Sequence, residues 1–172
     1  MNNIMEELTD YDKELLRKLH FFVNDKCCNE HPLASAIIHK DNKIIFGLSS
    51  KSPLGYDVHG EHTLVGNAFM YDNNANNFLS LVNMTRSLPD EDGKNTYKIK
   101  SPCGICRELL RYHYPNLYII VSRNLNNIKI KENNFSDLIK IKSKYLLPYP
   151  YISSKLPEIS KINNNIKLKI EM

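Results

Sequence analysis

A chain of 172 residues with 42% hydrophobic and 24% charged side chains has the size and make-up of one globular domain. Folding at that length buries roughly 70% of the extended chain's surface, so a core forms without covalent staples. This composition excludes a fibrous or fully disordered chain, and the lack of any run of about 18 apolar residues excludes a membrane-spanning helix. The opening MNNIMEELTDYDKELL carries acids and no apolar stretch, so no secretory leader is expected and the reading is a cytoplasmic protein. The net charge of +4 is spread over singly placed lysines (18 Lys, beside 21 Asn and 18 Ile). Without a basic stripe, a nucleic-acid partner is not expected. Four cysteines, two of them in a CxxC, read as metal or redox ligands rather than as a disulfide framework.

Residues 8–23 place Leu8, Tyr11, Leu15, Leu16, Leu19, Phe22 and Val23 at helical spacing. Thr9 with Asp12 resembles a capping box, and Asn24-Asp25 sets the expected end. Residues 33–39 and 43–49 read as two strands joined by a hairpin at Lys40-Asp41-Asn42. A loop with Pro53 and Gly55 follows. Residues 61–71 predict a second helix with Leu64, Val65, Ala68 and Tyr71 on one side, and 78–84 (FLSLVNM) a buried strand. Residues 87–100 are polar and read as an irregular surface insertion. Residues 105–113 predict a third helix with Ile105, Leu109 and Tyr112 in register, stopped by Pro115. Residues 117–121 (LYIIV) read as a central strand and 128–130 as a weak one. No internal repeat is visible. The expected organisation is a single α/β domain over 1–151, followed by a polar Asn/Lys-rich extension over 152–172.

Two short segments carry the chemistry. His59-Gly60-Glu61 opens the second helix and Pro102-Cys103-Gly104-Ile105-Cys106 opens the third, together matching the H-x-E…P-C-x-x-C pattern of zinc deaminases. Three protein donors leave a tetrahedral zinc one position for water, whose pKa then falls to about 7. Cys103 and Cys106, three apart at a helix start, can face one point, where unpaired amides favour the thiolate. His59 supplies a neutral third ligand. Glu61, free of the metal, can take a proton and return it to a ring nitrogen, as hydrolysis of an exocyclic amine requires. Two other readings use the same residues. His59, His62, Cys103 and Cys106 could form a closed structural Cys₂His₂ site, and the CxxC could be a redox pair, which leaves His59 and Glu61 without a role.

With these motifs, and with Ala34-Ser35-Ala36, Ile45-Phe46-Gly47, SPCGICRELL and Leu146-Leu147-Pro148, the chain resembles the cytidine deaminase family over about residues 33–151, and within it most the blasticidin-S deaminase branch. The resemblance implies a three-layer α-β-α domain with a mixed five-stranded sheet. It further implies one zinc per subunit as the only cofactor, a small-molecule nucleoside substrate in pyrimidine salvage, and a homotetramer. By position it makes His59, Cys103 and Cys106 the ligands and Glu61 the proton shuttle. Gly60 and Ser101 are expected beside the substrate, Ser101 through its backbone carbonyl toward the leaving amino group. Tyr151 stands where the family places an aromatic ring against substrate, His31 where it has a stacking Phe, and Arg107 where an arginine bonds the ligand sulfurs. One departure bears on substrate: cytidine-specific relatives carry Asn-x-Glu for the ribose hydroxyls, where this chain has Ser49-Ser50-Lys51. Exchanging a carboxylate for a cation there disfavours a plain ribose and favours an acidic or altered sugar. The expected activity is therefore deamination of cytidine or deoxycytidine, with a blasticidin-like or modified cytosine nucleoside as the alternative.

Overall fold

Thr9 and Asp12 start the first helix, α1 (Asp10–Lys26), as a reciprocal pair. The Thr9 amide donates to Asp12 Oδ2 at 2.7 Å and the Asp12 amide to Thr9 Oγ1 at 3.4 Å, the expected capping box. The helix runs past Asn24-Asp25 because Asn24 does not compete for backbone groups; its Nδ2 donates to the Tyr97 hydroxyl at 3.0 Å. The computed structural model describes residues 4–86, 96–123, 129–131 and 134–147, so the extension over 152–172 lies outside the described residues.

Strands β2 (Ala34–His39) and β3 (Ile44–Leu48) form the expected hairpin, with Asn42 at φ 70 in the left-handed region that asparagine tolerates. Strand β4 (Phe78–Arg86) lies antiparallel to β2, β6 (Tyr118–Ser122) parallel to β4, and β8 (Leu138–Lys142) antiparallel to β6. The order β3-β2-β4-β6-β8 is the mixed five-stranded sheet. Three short strands enlarge it to eight: β1 (Met5–Glu6) on β8, β5 (Thr96–Ile99) on β4, and β7 (Lys129–Lys131) on β5. β5 corrects the irregular insertion expected over 87–100. Its Tyr97 and Ile99, both 1% exposed, anchor 96–99 in the core, while 87–95 lie outside the described residues. β8 is also unexpected: IKIK alternates in sequence, yet Leu138, Ile139 and Lys140 are all buried and only Ile141 and Lys142 are half-buried.

Helix α1 covers one face of this sheet, with Leu15, Leu16, Leu19 and Val23 at 0% exposed against Ala36, Ile38, Val82 and Met84. Each of those four side chains contributes roughly 1.5–3 kcal/mol by leaving water. The other face is covered by α2 (Gly60–Tyr71) and α3 (Gly104–His113), through Leu64, Ala68 and Leu110 over Ile37, Leu81 and Ile119. The domain therefore has three layers, α-β-α, as expected. α3 is turned one residue from its expected face. Cys106 and Leu110 point inward, while Ile105 is 69% and Tyr112 48% exposed. Leu110 and Tyr114 take the inner positions against the α2 layer, and that rotation carries Cys106 in with them. Across the other layer, buried Lys140 on β8 donates to Asp12 Oδ2 at 2.9 Å, tying the start of α1 to the sheet.

Candidate metal centre and its pocket

α2 and α3 lie side by side on one face of the sheet, and each begins at a residue of the chemical motif. His59 is the N-cap of α2 and Cys103 the N-cap of α3; neither caps its helix with its side chain, so imidazole and sulfur remain free for other partners. His59 Nδ1 lies 3.2 Å from Cys106 Sγ and 3.3 Å from Cys103 Sγ, and the three donor atoms all fall within 4.8 Å of one another. Among the described residues this is the one His/Cys/Asp/Glu group compatible with a metal ion. His62 is outside it. Its ring stacks on that of His59 with centroids 5.3 Å apart and planes 15° apart, so the four-donor Cys₂His₂ set does not assemble here.

The donor chemistry fits zinc, which favours sulfur and imidazole nitrogen and keeps a position open when the protein offers three ligands. Burial pushes the Cys106 thiol well above its ordinary range, and the neighbouring Glu61 charge and a hydrogen bond donated to Cys103 add to that shift. The unpaired amides of the α3 start therefore do not by themselves make Cys106 a thiolate. A buried thiol beside a buried carboxylate is a set that a divalent cation would compensate.

Glu61, in the first turn of α2, is 4% exposed. Its Oε1 accepts from Asn83 Nδ2 at 2.7 Å, and Asn83 Oδ1 accepts from the Ser35 hydroxyl at 2.7 Å. Neither Asn83 nor Ser35 is assigned a role from the motifs. Their only trace in the sequence is a polar residue within a largely apolar strand, and their meeting depends on the β2–β4 register, which pairs Ser35 with Asn83.

A pocket of about 280 Å³ opens over Glu61, His59 and Cys103. Four of the expected substrate-side residues, Ser49, Lys51, Gly60 and Ser101, line it, together with Lys100 and Asp57, which the motifs do not single out. The Ser49–Val58 wall is built by backbone pairing. Ser50 and Val58 exchange bonds at 2.8 and 2.9 Å, and the Lys51 amide donates to the Glu30 carbonyl at 2.8 Å. His31 is not among the lining residues. Its Nδ1 sits 2.7 Å from the Ser49 carbonyl, fastening the wall rather than facing the pocket. Arg107 likewise bonds something other than the ligand sulfurs. Nε donates to the Pro102 carbonyl at 2.8 Å, and the terminal nitrogens donate to the Ser101 hydroxyl at 3.1 Å and the Leu146 carbonyl at 3.2 Å. It clasps the segment that presents Cys103. Tyr151 lies outside the described residues.

The chain is 27% identical over 115 residues to a blasticidin-S deaminase of Bacillus cereus, an alignment covering 66% of this chain and 78% of that protein. Its fold matches the cytidine deaminase of Bacillus anthracis with a TM-score of 0.60 at 19% identity, over 87% of this chain and 95% of that one. It also matches the cytidine deaminase of Burkholderia pseudomallei with a TM-score of 0.55 at 16% identity, over 84% and 100%. No protein-family model matches.

Proposed function

We propose, from the premise that this chain belongs to the cytidine deaminase family, that it is a zinc-dependent hydrolase turning a cytosine nucleoside (cytidine or deoxycytidine) and water into the uracil nucleoside and ammonia. One observation carries this reading: three donors lie within 4.8 Å of one another, and two of them, His59 and Cys103, line one pocket with Glu61, a carboxylate that is 4% exposed. Held by His59, Cys103 and Cys106, zinc would supply a Lewis acid that makes water a nucleophile near neutral pH.

The chain's own residues supply proton movement and orientation. Glu61 accepts a proton from the attacking water and places it on N3 of the ring. It then carries the second water proton to the exocyclic nitrogen as the C4–N bond breaks, so that C4 keeps oxygen and nitrogen leaves as ammonia. Burial suits Glu61 to this work, because the pocket wall limits competing solvent. Gly60 offers only backbone to the ring, and Ser101, held by Arg107, is the proposed partner of the leaving amino group. Tyr151 is proposed to pack on the substrate. Assembly as a homotetramer and a place in cytoplasmic pyrimidine salvage complete this reading, and both rest on the family resemblance.

A second reading keeps the chemistry and changes the sugar. Lys51 and Lys100 line the pocket where a ribose-binding carboxylate is missing, which supports a cytosine nucleoside with an acidic or altered sugar, as in blasticidin S. Rates of zinc-loaded protein on cytidine, deoxycytidine and blasticidin S separate the two. Glu61→Gln is expected to keep its zinc and lose kcat by about 10²–10⁴-fold on whichever is turned over. Undiminished turnover by that variant overturns the assignment of Glu61.

A further inference from the structure

We propose that Asn83 and Ser35 are positioning residues for Glu61, forming a polarised hydrogen-bond relay that fixes which carboxylate oxygen is free to move protons. The proposal rests on the role given to Glu61 above. β2 and β4 pair in register at Ser35 and Asn83, and both side chains project to the α2 side of the sheet, beneath the first turn of that helix. Ser35 is 0%, Asn83 1% and Glu61 4% exposed, so no water competes for their hydrogen bonds.

The direction of the chain follows from donor chemistry. A serine hydroxyl has one proton, and here it goes to Asn83 Oδ1 at 2.7 Å. With its oxygen so engaged, the Asn83 amide turns Nδ2 toward Glu61 and donates to Oε1 at 2.7 Å. An amide N–H cannot accept a proton, so Oε1 is held as an acceptor and the proton traffic passes through Oε2. The relay thus does for a carboxylate what a buried acid does for a catalytic histidine, setting the orientation without entering the chemistry.

Gly60 makes the room. A Cβ placed there would lie 2.6 Å from Ser35 Oγ and 3.0 Å from Leu33 Cδ2, so the residue between His59 and Glu61 and the hydroxyl under it occupy complementary volumes. The backbone of Asn83 also reaches the opposite wall, because its carbonyl accepts from the Lys100 amide at 3.0 Å beside Ser101. One residue of β4 therefore registers both the proton carrier and the segment expected to face the leaving amino group.

The test uses zinc-reconstituted full chain with cytidine or blasticidin S, whichever the wild type turns over faster, and compares Ser35→Ala, Asn83→Leu and Glu61→Gln. The expected result is kcat down about 10–100-fold in Asn83→Leu and Ser35→Ala, with KM within about threefold and one zinc per chain by metal analysis. A lowered kcat with KM and zinc content unchanged is a split that a packing role, which would disturb pocket and ligands together, would not produce. If Asn83→Leu does not fold, Ser35→Ala carries the test alone. A kcat within twofold of wild type in Ser35→Ala, or a loss of kcat matched by loss of zinc or a rise in KM, overturns the relay. Glu61→Gln tells the two failures apart: if it is active, the role of Glu61 itself fails, and if it is inactive while the Ser35 and Asn83 variants work normally, only the relay does.

Discussion

Gly47 on β3 and Gly60 at the start of α2 meet backbone to backbone. A Cβ on Gly47 would stand 2.3 Å from the Gly60 carbonyl oxygen, 2.5 Å from the Leu64 amide nitrogen and 2.7 Å from Leu64 Cβ. These obstacles belong to the body of a helix and cannot swing aside. The helix is further pinned to β3 by Thr63 Oγ1 donating to the Leu48 carbonyl at 3.2 Å and Asn67 Nδ2 to the Phe46 carbonyl at 2.9 Å. Gly47→Ala must lift the end of α2 that carries His59 and Glu61. It is expected to cost about 3 kcal/mol and to lower the melting temperature by roughly 6–12 °C. Gly66→Ala in the same helix meets nothing within 4 Å and should instead stabilise by about 0.5–1 kcal/mol. Thermal melts of the two variants check both signs, and equal behaviour would remove Gly47 as the seat of α2.

Local signals in the chain were strong where one short segment decides its own structure. Thr9 and Asp12 cap each other, Lys40-Asp41-Asn42 turns the hairpin, and the two zinc-type motifs open helices. What could not be read depends on register between distant strands. Asn83 matters only because β4 lies against β2 with Ser35 opposite it, and Lys100 only because its amide is held by the Asn83 carbonyl. The face of α3 was misplaced for a related reason. Ile105 and Tyr112 are as apolar as the residues that are buried, and Cys106, which points inward, carries little hydrophobic weight of its own. Its neighbours Leu110 and Tyr114 set the rotation through tertiary packing.

Metal retention should sort the candidate ligands from their neighbours. Cys103→Ser, Cys106→Ser and His59→Ala each remove one of three converging donors and are expected to leave the purified chain with little zinc, whereas His62→Ala, outside the cluster, keeps one zinc per chain. Arg107→Met releases Pro102, Ser101 and Leu146 together and loosens the segment carrying Cys103, so zinc affinity should fall about tenfold with the stoichiometry unchanged. Metal analysis after dialysis against graded chelator reads all five. Zinc lost from His62→Ala would restore the closed structural site.

At the opposite end of β2, His39 is 5% exposed and clamped between two acids, with Nδ1 2.7 Å from Asp41 Oδ1 and Nε2 3.0 Å from Asp72 Oδ2. Asp72 is drawn down to about 2, first by the Asn77 side chain, then by the Asn74 amide and by His39. Asp41 is drawn below the usual carboxylate range, first by the Tyr71 hydroxyl and then by the Lys43 amide and His39. A carboxylate whose folded pKa lies below its unfolded value contributes stability above the unfolded value and loses it as pH falls through the folded one. The melting-temperature advantage of wild type over Asp72→Asn should therefore be full near pH 4.5 and shrink steadily toward pH 2. An advantage that does not change over this range would dissociate the clamp from acid stability.

Lys51 and Lys100 line one wall of the pocket, and on the second reading proposed above that wall selects the sugar. Lys51 is exposed, so its attraction for an anionic sugar group is that of a surface pair, about 0.2–1 kcal/mol. Lys51→Glu removes that attraction and adds a repulsion of similar size, together about 1.4 kcal/mol, or tenfold in rate at low substrate. The variant should lose about tenfold in kcat/KM on a cytosine nucleoside bearing a sugar carboxylate while holding or gaining rate on cytidine, whose ribose hydroxyls can donate to the new carboxylate, and the electrostatic loss should narrow as salt is raised toward 1 M. Side-by-side initial rates on the two nucleosides at low and high ionic strength measure this. An equal loss on both would mean that the side chain shapes the pocket wall, which His31 and Glu30 hold from behind, rather than reading the charge of the sugar.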